Sequence, residues 1–172
     1  FFFRDPERFT PADKNAIISP ADGVVTKIEE GVTAPEELGY GDQKWNKMSV
    51  FLNVFNVHVN RTPIAGTITQ VKYKAGKFLS ANAAEASSQN ERNSVVVKTK
   101  KGDEIIFVQV AGLVARRIVS DIKEGQEVKA GDRYGIIRFG SRADLYFPEN
   151  VEIKSLLGQT MIGGETIIAE IK

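Results

Sequence analysis

Short runs of apolar residues, many of them β-branched, recur along the whole chain and are separated by turn-forming residues. They occupy residues 17–18, 23–25, 48–52, 94–97, 105–108 and 135–137. Runs of this length, bounded by Gly, Pro, Asn or Asp, are typical of β-strands. Residues 99–103 separate two of these runs and predict the turn of a β-hairpin. The pattern therefore predicts a mainly β fold.

Two other segments lack this pattern. Residues 80–89 are rich in alanine and predict either a short helix or a loop. Residues 31–46 carry glycine, proline and several charges, a composition that predicts an exposed loop. Helix is therefore expected to be a minor part of the fold.

Glycines recur at matching places before predicted strands. Residues 20–25 read PADGVV and residues 63–68 read PIAGTI. Glycine at such positions allows the positive φ of a tight turn. The pattern is typical of biotinyl and lipoyl carrier domains, and it predicts one barrel-sandwich-like domain of β-hairpins over residues 1–172. A carrier function is one alternative, although Lys47, the nearest candidate attachment lysine, lacks the arrangement on an exposed hairpin that such a lysine usually has.

The composition excludes several classes of function. The 172 residues carry 23 Lys and Arg against 22 Asp and Glu, so no strong positive field attracts nucleic acid. The absence of cysteine excludes disulfides, cysteine nucleophiles and thiolate metal sites. His58 is the one histidine, and without further His or Cys ligands no metal site is expected.

Four segments carry the residue types that suggest chemistry. They read FFRDPER at residues 2–8, SPADG at 19–23, NVFNVHVNRTP at 53–63 and RFGSR at 138–142. In this order and spacing they closely resemble the short form of phosphatidylserine decarboxylase. Two further segments match the same family, NERN at residues 90–93 and QVAGLVARRI at 109–118. Each motif alone is weak, but six in register make the resemblance specific over nearly the whole chain.

The resemblance implies an enzyme that converts phosphatidylserine to phosphatidylethanolamine and CO₂. Loss of CO₂ from an amino acid leaves a carbanion, which needs an electron sink that ordinary side chains do not provide. A pyruvoyl group supplies this sink through a Schiff base with the substrate amine. The group is expected to form when the chain cuts itself at Gly140–Ser141, giving a large fragment of residues 1–140 and a small fragment of residues 141–172.

The same resemblance assigns the residues that make the cut. Serine is a poor nucleophile until a base removes its proton. His58 is the only side chain with an ordinary pKa near neutrality, about 6.5, which suits that role. The family pattern places an aspartate in the SPADG segment, so Asp22 is predicted to orient the imidazole. We predict Ser141 as nucleophile and pyruvoyl precursor, His58 as base and Asp22 as orienter.

One departure from the family concerns histidine. Longer members carry a second histidine close to the first, whereas this chain has Asn56, Asn60 and Arg61 at the neighbouring positions. Either His58 serves both self-cleavage and decarboxylation, or another group protonates the carbanion.

Four further residues are candidate substrate contacts. Arg142, Arg138 and Arg92 are chosen because arginine binds phosphate and carboxylate groups in a bidentate manner. Phe78 is a candidate for an apolar lip that meets the membrane. Each of the four also has an ordinary structural interpretation.

The lipid substrate implies a place at the cell membrane, and we expect the cytoplasmic side. No segment has the ~20 consecutive apolar residues of a membrane span. The chain begins with three phenylalanines and Arg4, which resembles a membrane–water boundary, although a short buried strand is the alternative. The protein is expected to be either peripheral or anchored by preceding sequence. The expected partners are the phospholipid and the chain's own two fragments, and a homo-oligomer is left open. The other alternative is a pyruvoyl decarboxylase for a different serine lipid or a soluble amino acid.

Overall fold

The computed structural model of the chain describes residues 5–53, 59–81, 86–112, 118–137 and 140–172. In these ranges it contains one short α-helix, α1 (Ala86–Gln89), and one 3₁₀-helix (Glu36–Leu38). The strands, in chain order, are β1 (Ala16–Ile18), β2 (Gly23–Thr33), β3 (Lys44–Leu52), β4 (Val59–Arg61), β5 (Gly66–Lys74), β6 (Arg92–Lys98), β7 (Glu104–Val110), β8 (Ile118–Ser120), β9 (Glu127–Val128), β10 (Arg133–Ile137), β11 (Ser141–Phe147), β12 (Val151–Ile153), β13 (Thr160–Met161) and β14 (Ile167–Ile171).

Eight strands form one antiparallel sheet in the order β13-β2-β3-β11-β7-β6-β5-β9. Strands β6 and β7 form the predicted hairpin, in which Lys98 pairs with Glu104. The Thr99 N–H donates to the Asp103 carbonyl at 2.8 Å and closes the turn. The prediction of a mainly β fold built from hairpins, with little helix, is confirmed.

Two three-stranded sheets complete the fold, in the orders β1-β14-β12 and β4-β10-β8. In the second of these, Ile136 pairs with Val59 and Ile137 pairs with Ile118. This small sheet therefore fixes the residue that directly follows His58 against the strand that leads toward Gly140.

The large sheet is buried on both faces at its centre. Every residue from Arg92 to Val97 and from Ile105 to Val110 is buried. Alternate residues of these strands join two different apolar clusters, and the larger cluster takes Val95, Val97, Ile105 and Phe107, while the second takes Val96, Ile106, Val108 and Val110. Burial on both faces explains why these strands read as continuous apolar runs and not as an alternating pattern.

The prediction of an exposed loop over residues 31–46 is wrong for much of that segment. Strand β2 continues to Thr33 and β3 begins at Lys44. Leu38 and Trp45 are only 5% and 2% exposed and belong to the second apolar cluster. The segment folds onto the sheet because its few large apolar side chains gain more from covering that face than from exposure to water.

Candidate active site

Antiparallel pairing gathers the sequence motifs at one end of the large sheet. Strand β11 begins at Ser141, which pairs with Leu52 at the end of β3. Its next residue, Arg142, pairs with Val110 at the end of β7. Strands β2 and β6 begin at the same end, with Gly23 and Arg92. Residues that are far apart in the chain therefore meet around the Gly140–Ser141 bond.

The Gly140–Ser141 bond lies on the turn that enters β11. Gly140 has φ +75°, in the left-handed region that favours glycine, and a side chain built there would meet open space. Its N–H donates to the Leu52 carbonyl at 2.8 Å. Ser141 is fully buried. The glycine is thus required by its conformation, and it presents a buried serine directly after a tight turn.

Arg142, the residue after Ser141, is held by a buried ion pair. Its Nε and Nη2 atoms donate to the two Asp144 carboxylate oxygens at 2.7 and 3.0 Å, and its Nη1 donates to the Ala81 carbonyl at 2.6 Å. The Ser49 hydroxyl and the Lys47 ammonium also contact Asp144, at 2.7 and 3.6 Å. This geometry favours an anchoring role for Arg142 over the predicted contact with substrate.

The charge state of Asp144 follows from these contacts. Burial alone would raise the pKa of its carboxyl, since it is taken almost completely out of water. The positive charges of Arg142 and Lys47, and the hydrogen bonds from Arg142 and Ser49, outweigh burial and lower the pKa below its usual value. Asp144 is therefore an anion at neutral pH and neutralises two buried cations.

Asn90 connects the segment that carries Phe78 to the end of β7. Its side-chain amide donates to the carbonyls of Leu79 and Ala111 at 2.8 and 2.7 Å, and its oxygen accepts from the Leu79 N–H at 3.1 Å. Phe78 is half-buried on this segment, three residues before Ala81, the partner of Arg142. The structure therefore brings Phe78 to the same end of the sheet as Ser141.

Asp22 lies at the start of β2, and both of its carboxylate oxygens are engaged. One accepts from the Gly163 N–H at 2.7 Å, and the other accepts from the Arg8 guanidinium at 3.1 Å. The preceding residue, Ala21, packs in a small apolar cluster with Leu52, Ile137, Ala143 and Ile118. Because Leu52 and Ala143 flank Ser141, this cluster places the Asp22 segment beside the Gly140–Ser141 bond.

Arg92 lies at the same end of the sheet but is directed to a different partner. Its Nε and Nη2 atoms each donate to Glu37 at 2.7 Å, and the Ser94 hydroxyl donates to the same carboxylate at 2.9 Å. Burial would raise the pKa of Glu37, but the contacts with Arg92 and Ser94 lower it overall. Arg92 thus fastens the 3₁₀-helix to the sheet, which favours a structural role over the predicted substrate contact.

Two predicted site residues, His58 and Arg138, lie outside the described residues. Within the described part of the chain, no group of three or more His, Asp or Glu side chains is arranged to hold a metal ion. In the same residues, no helix is long and apolar enough to cross a bilayer. Lys47, the candidate attachment lysine of a carrier domain, is only 4% exposed, so it is not available to a modifying enzyme.

Comparison with known proteins identifies what this arrangement resembles. A family model described as phosphatidylserine decarboxylase matches residues 1–169. A protein of Rickettsia akari (strain Hartford) named phosphatidylserine decarboxylase proenzyme is 55% identical over 170 residues, which cover 99% of this chain and 73% of the relative. Proteins of the same name from Rickettsia africae (strain ESF-5) and Rickettsia bellii (strain OSU 85-389) are 54% and 55% identical with the same coverage.

Proposed function

The chain belongs to the phosphatidylserine decarboxylase family, and we propose that it decarboxylates phosphatidylserine with a pyruvoyl group made by cutting itself between Gly140 and Ser141. The observation that carries this proposal is the bond itself. It joins a left-handed glycine to a fully buried serine at the end of the sheet where β3 and β7 end and where β2 and β6 begin. A serine in an ordinary loop would have neither the turn nor the convergent surroundings.

Self-cleavage proceeds in three balanced steps. The Ser141 Oγ bonds to the Gly140 carbonyl carbon, the Gly140–Ser141 amide bond breaks, and the serine proton ends on the released nitrogen. Removal of the Ser141 α-proton then expels the Gly140 carboxylate and leaves a dehydroalanine at the new N-terminus. Water then adds to the α-carbon of the dehydroalanine, the nitrogen leaves as ammonia, and a pyruvoyl group remains. The sum is the chain plus one water and minus one ammonia.

The described residues around Ser141 fit a pyruvoyl group at that position. When formed, the pyruvoyl group supplies an electron sink for the charge that remains after CO₂ is lost. Its attachment residue is Arg142, whose side chain is locked by Asp144 and by the Ala81 carbonyl. A cofactor that must meet its substrate in a defined geometry benefits from such a rigid support.

The two fragments of 1–140 and 141–172 are expected to stay together after the cut. Strand β11 of the small fragment lies between β3 and β7 of the large fragment. Strand β14 of the small fragment pairs with β1 of the large one. Cleavage therefore creates a new chain end inside an intact fold.

We assign the base to His58 and its orientation to Asp22. Support for His58 comes from Val59, its neighbour in the chain, which pairs with Ile136 in the strand that leads to Gly140. Support for Asp22 comes from the apolar cluster that joins Ala21 to the neighbours of Ser141.

Substituting His58 with glutamine is expected to slow self-cleavage by about 10²- to 10⁴-fold, because glutamine does not accept the serine proton. Asp22→Asn, whose amide oxygen still accepts from the Gly163 N–H, should also slow the reaction. The uncut fraction is followed with time on denaturing gels. Groups that act as a unit are non-additive, so the double variant should be no slower than His58→Gln alone. A double variant slowed by the product of the two single effects would contradict the assignment.

The substrate is tested on lipid vesicles. The processed protein should release CO₂ from vesicles that contain phosphatidylserine and should not release it from free serine. Release from free serine at a comparable rate would favour the alternative of a soluble amino acid as substrate. Release from vesicles of a different serine lipid, with none from phosphatidylserine, would change the lipid class.

The family's lipid substrate implies work at a membrane. We propose the cytoplasmic side, which is consistent with a chain without cysteine. Labelling of an introduced surface cysteine by a membrane-impermeant reagent, in intact cells and in lysed cells, distinguishes the two sides. Reaction only after lysis is the expected result.

A further inference from the structure

Gly112 lies directly opposite Gly140 at the end of the sheet. In the β7–β11 ladder, Val110 pairs with Arg142 and Gln109 with Ala143. Continuing this register places Ala111 opposite Ser141 and Gly112 opposite Gly140. The two glycines thus face each other across the bond that the proposed reaction cuts, although they are far apart in sequence.

The backbone of Gly112 approaches the Gly140 carbonyl more closely than any side chain would allow. A Cβ atom built on Gly112 would lie 1.9 Å from the Gly140 oxygen and 2.9 Å from its carbon, and real Cβ atoms essentially never come within 3.0 Å of such atoms. Gly140 is different, because a Cβ built there would meet nothing within 4 Å. Gly140 is required for its conformation, whereas Gly112 is required for the space beside it.

We propose that Gly112 is a positioning residue for self-cleavage. Its missing side chain provides the space in which the Gly140 carbonyl oxygen lies when the Ser141 hydroxyl attacks the carbonyl carbon. The inference rests on the proposed cut at Gly140–Ser141 and adds the group that orients the bond to be cut. In the first step, Oγ–C forms and C–N breaks, and the carbonyl oxygen must stay in its place while its carbon becomes tetrahedral.

The surroundings explain why a side chain at residue 112 would act on the carbonyl. The Gly140 N–H is held on the other side by the Leu52 carbonyl at 2.8 Å. The backbone before Gly112 is also fixed, because the Ala111 N–H donates to the Glu91 carbonyl at 2.9 Å and the Ala111 carbonyl accepts from Asn90 at 2.7 Å. A methyl group would therefore have to rotate or displace the Gly140 carbonyl by about 1 Å, a misplacement that costs on the order of 100-fold in rate.

The test compares Gly112→Ala with a matched glycine, Gly66→Ala. A Cβ built on Gly66 would lie 2.4 Å from the Lys98 carbonyl oxygen, so this variant has the same kind of backbone clash. Gly66 is at the opposite end of β5 from Lys74, which pairs with Arg92 at the site end of the sheet. Cleavage of newly made protein is followed by denaturing gel and intact mass, and folding by circular dichroism and thermal melting.

Gly112→Ala is expected to fold and to cut at least about 100-fold more slowly than the unaltered chain. Gly66→Ala should cut at a rate close to that of the unaltered chain, even if its melting temperature falls as far as that of Gly112→Ala. Equal rates for Gly112→Ala and the unaltered chain would overturn the inference. So would an equal slowing of both variants, or a Gly112→Ala chain that does not fold while Gly66→Ala does, because each would show a purely structural role.

Hydroxylamine shows whether the reaction of an uncut chain stops before or after the ester forms. It cleaves esters, so it would cut a chain in which Ser141 has already taken the Gly140 acyl group. Misplacement of the carbonyl blocks that step, and uncut Gly112→Ala should therefore resist hydroxylamine. Release of the two fragments by hydroxylamine would show that the ester forms and would overturn the inference. An unaltered chain that is never cut at Gly140 would instead refute the proposed function.

Discussion

Replacing Ser141 with alanine is expected to leave the protein as one uncut chain without decarboxylase activity. Alanine has no hydroxyl, so the Gly140 acyl group has no acceptor and the pyruvoyl group does not form. The fold should persist, because Ser141 is fully buried and its smaller replacement enters the same place in the β3–β11 ladder. Denaturing gels, intact mass and CO₂ release from phosphatidylserine vesicles measure these effects.

A matched control for this variant is Ser155→Ala. Ser155 is also buried, and its hydroxyl donates to the Ile168 carbonyl at 3.2 Å, away from the site. This variant should be cut and should remain active. Two fragments from Ser141→Ala, broken at the same bond, would show that another group makes the cut.

The second large effect is expected at Asp144, whose replacement by asparagine should destabilise the fold by about 3–5 kcal/mol. Breaking one partner of a buried ion pair costs this much, because the remaining charges stay out of water without their counter-ion. Here the guanidinium of Arg142 and the ammonium of Lys47 would lose the carboxylate that neutralises them. Urea unfolding in the uncut Ser141→Ala background measures the free energy of unfolding of a single chain.

An exposed pair is the control for Asp144→Asn. Lys154 and Glu152 are 3.1 Å apart, with side chains that are 42% and 49% exposed. Glu152→Gln should change the free energy of unfolding by no more than about 1 kcal/mol, because exposed pairs are screened by water. Equal effects of the two substitutions would mean that the Arg142 anchor contributes little.

The stabilising effect of Asp144 should also depend on pH. Its folded-state pKa is lowered, so its contribution is fully present above the unfolded value of about 3.9 and is lost as pH falls through the lower folded value. We therefore compare the Ser141→Ala chain with the same chain that also carries Asp144→Asn. Their difference in unfolding free energy should become smaller as pH falls below about 3.9. Urea unfolding across this range checks it, and a difference that stays constant would contradict the lowered pKa.

Much of the fold was predictable because the strands that form its centre are continuous apolar runs. Residues 94–97 and 105–108 are recognisable in this way, and the turn between them carries glycine and aspartate. The segment from 31 to 46 was predicted incorrectly, since its polar composition hides Leu38 and Trp45, two side chains that cover the second apolar cluster. The composition of a segment does not show which apolar face of a sheet that segment buries.

The candidate site, like the fold, was predictable only in part. Ser141 and Asp22 were predicted because they lie inside short motifs, and the structure brings their segments together through Leu52 and Ala143. The importance of Gly112 and Asp144 was not predicted. Gly112 matters through the register of β7 with β11, which local sequence does not show. Asp144 lies two residues after Arg142 on the same face of β11, but the local sequence does not show that both side chains are buried.

The most direct test of the account is the intact mass of the unaltered protein after denaturation. We predict two fragments, residues 1–140 and 141–172, whose masses sum to that of the chain plus one water and minus one ammonia. The small fragment should resist amino-terminal sequencing and react with a carbonyl reagent. A single mass that stays at that of the whole chain after prolonged incubation at neutral pH would contradict the account, because no pyruvoyl group would then exist.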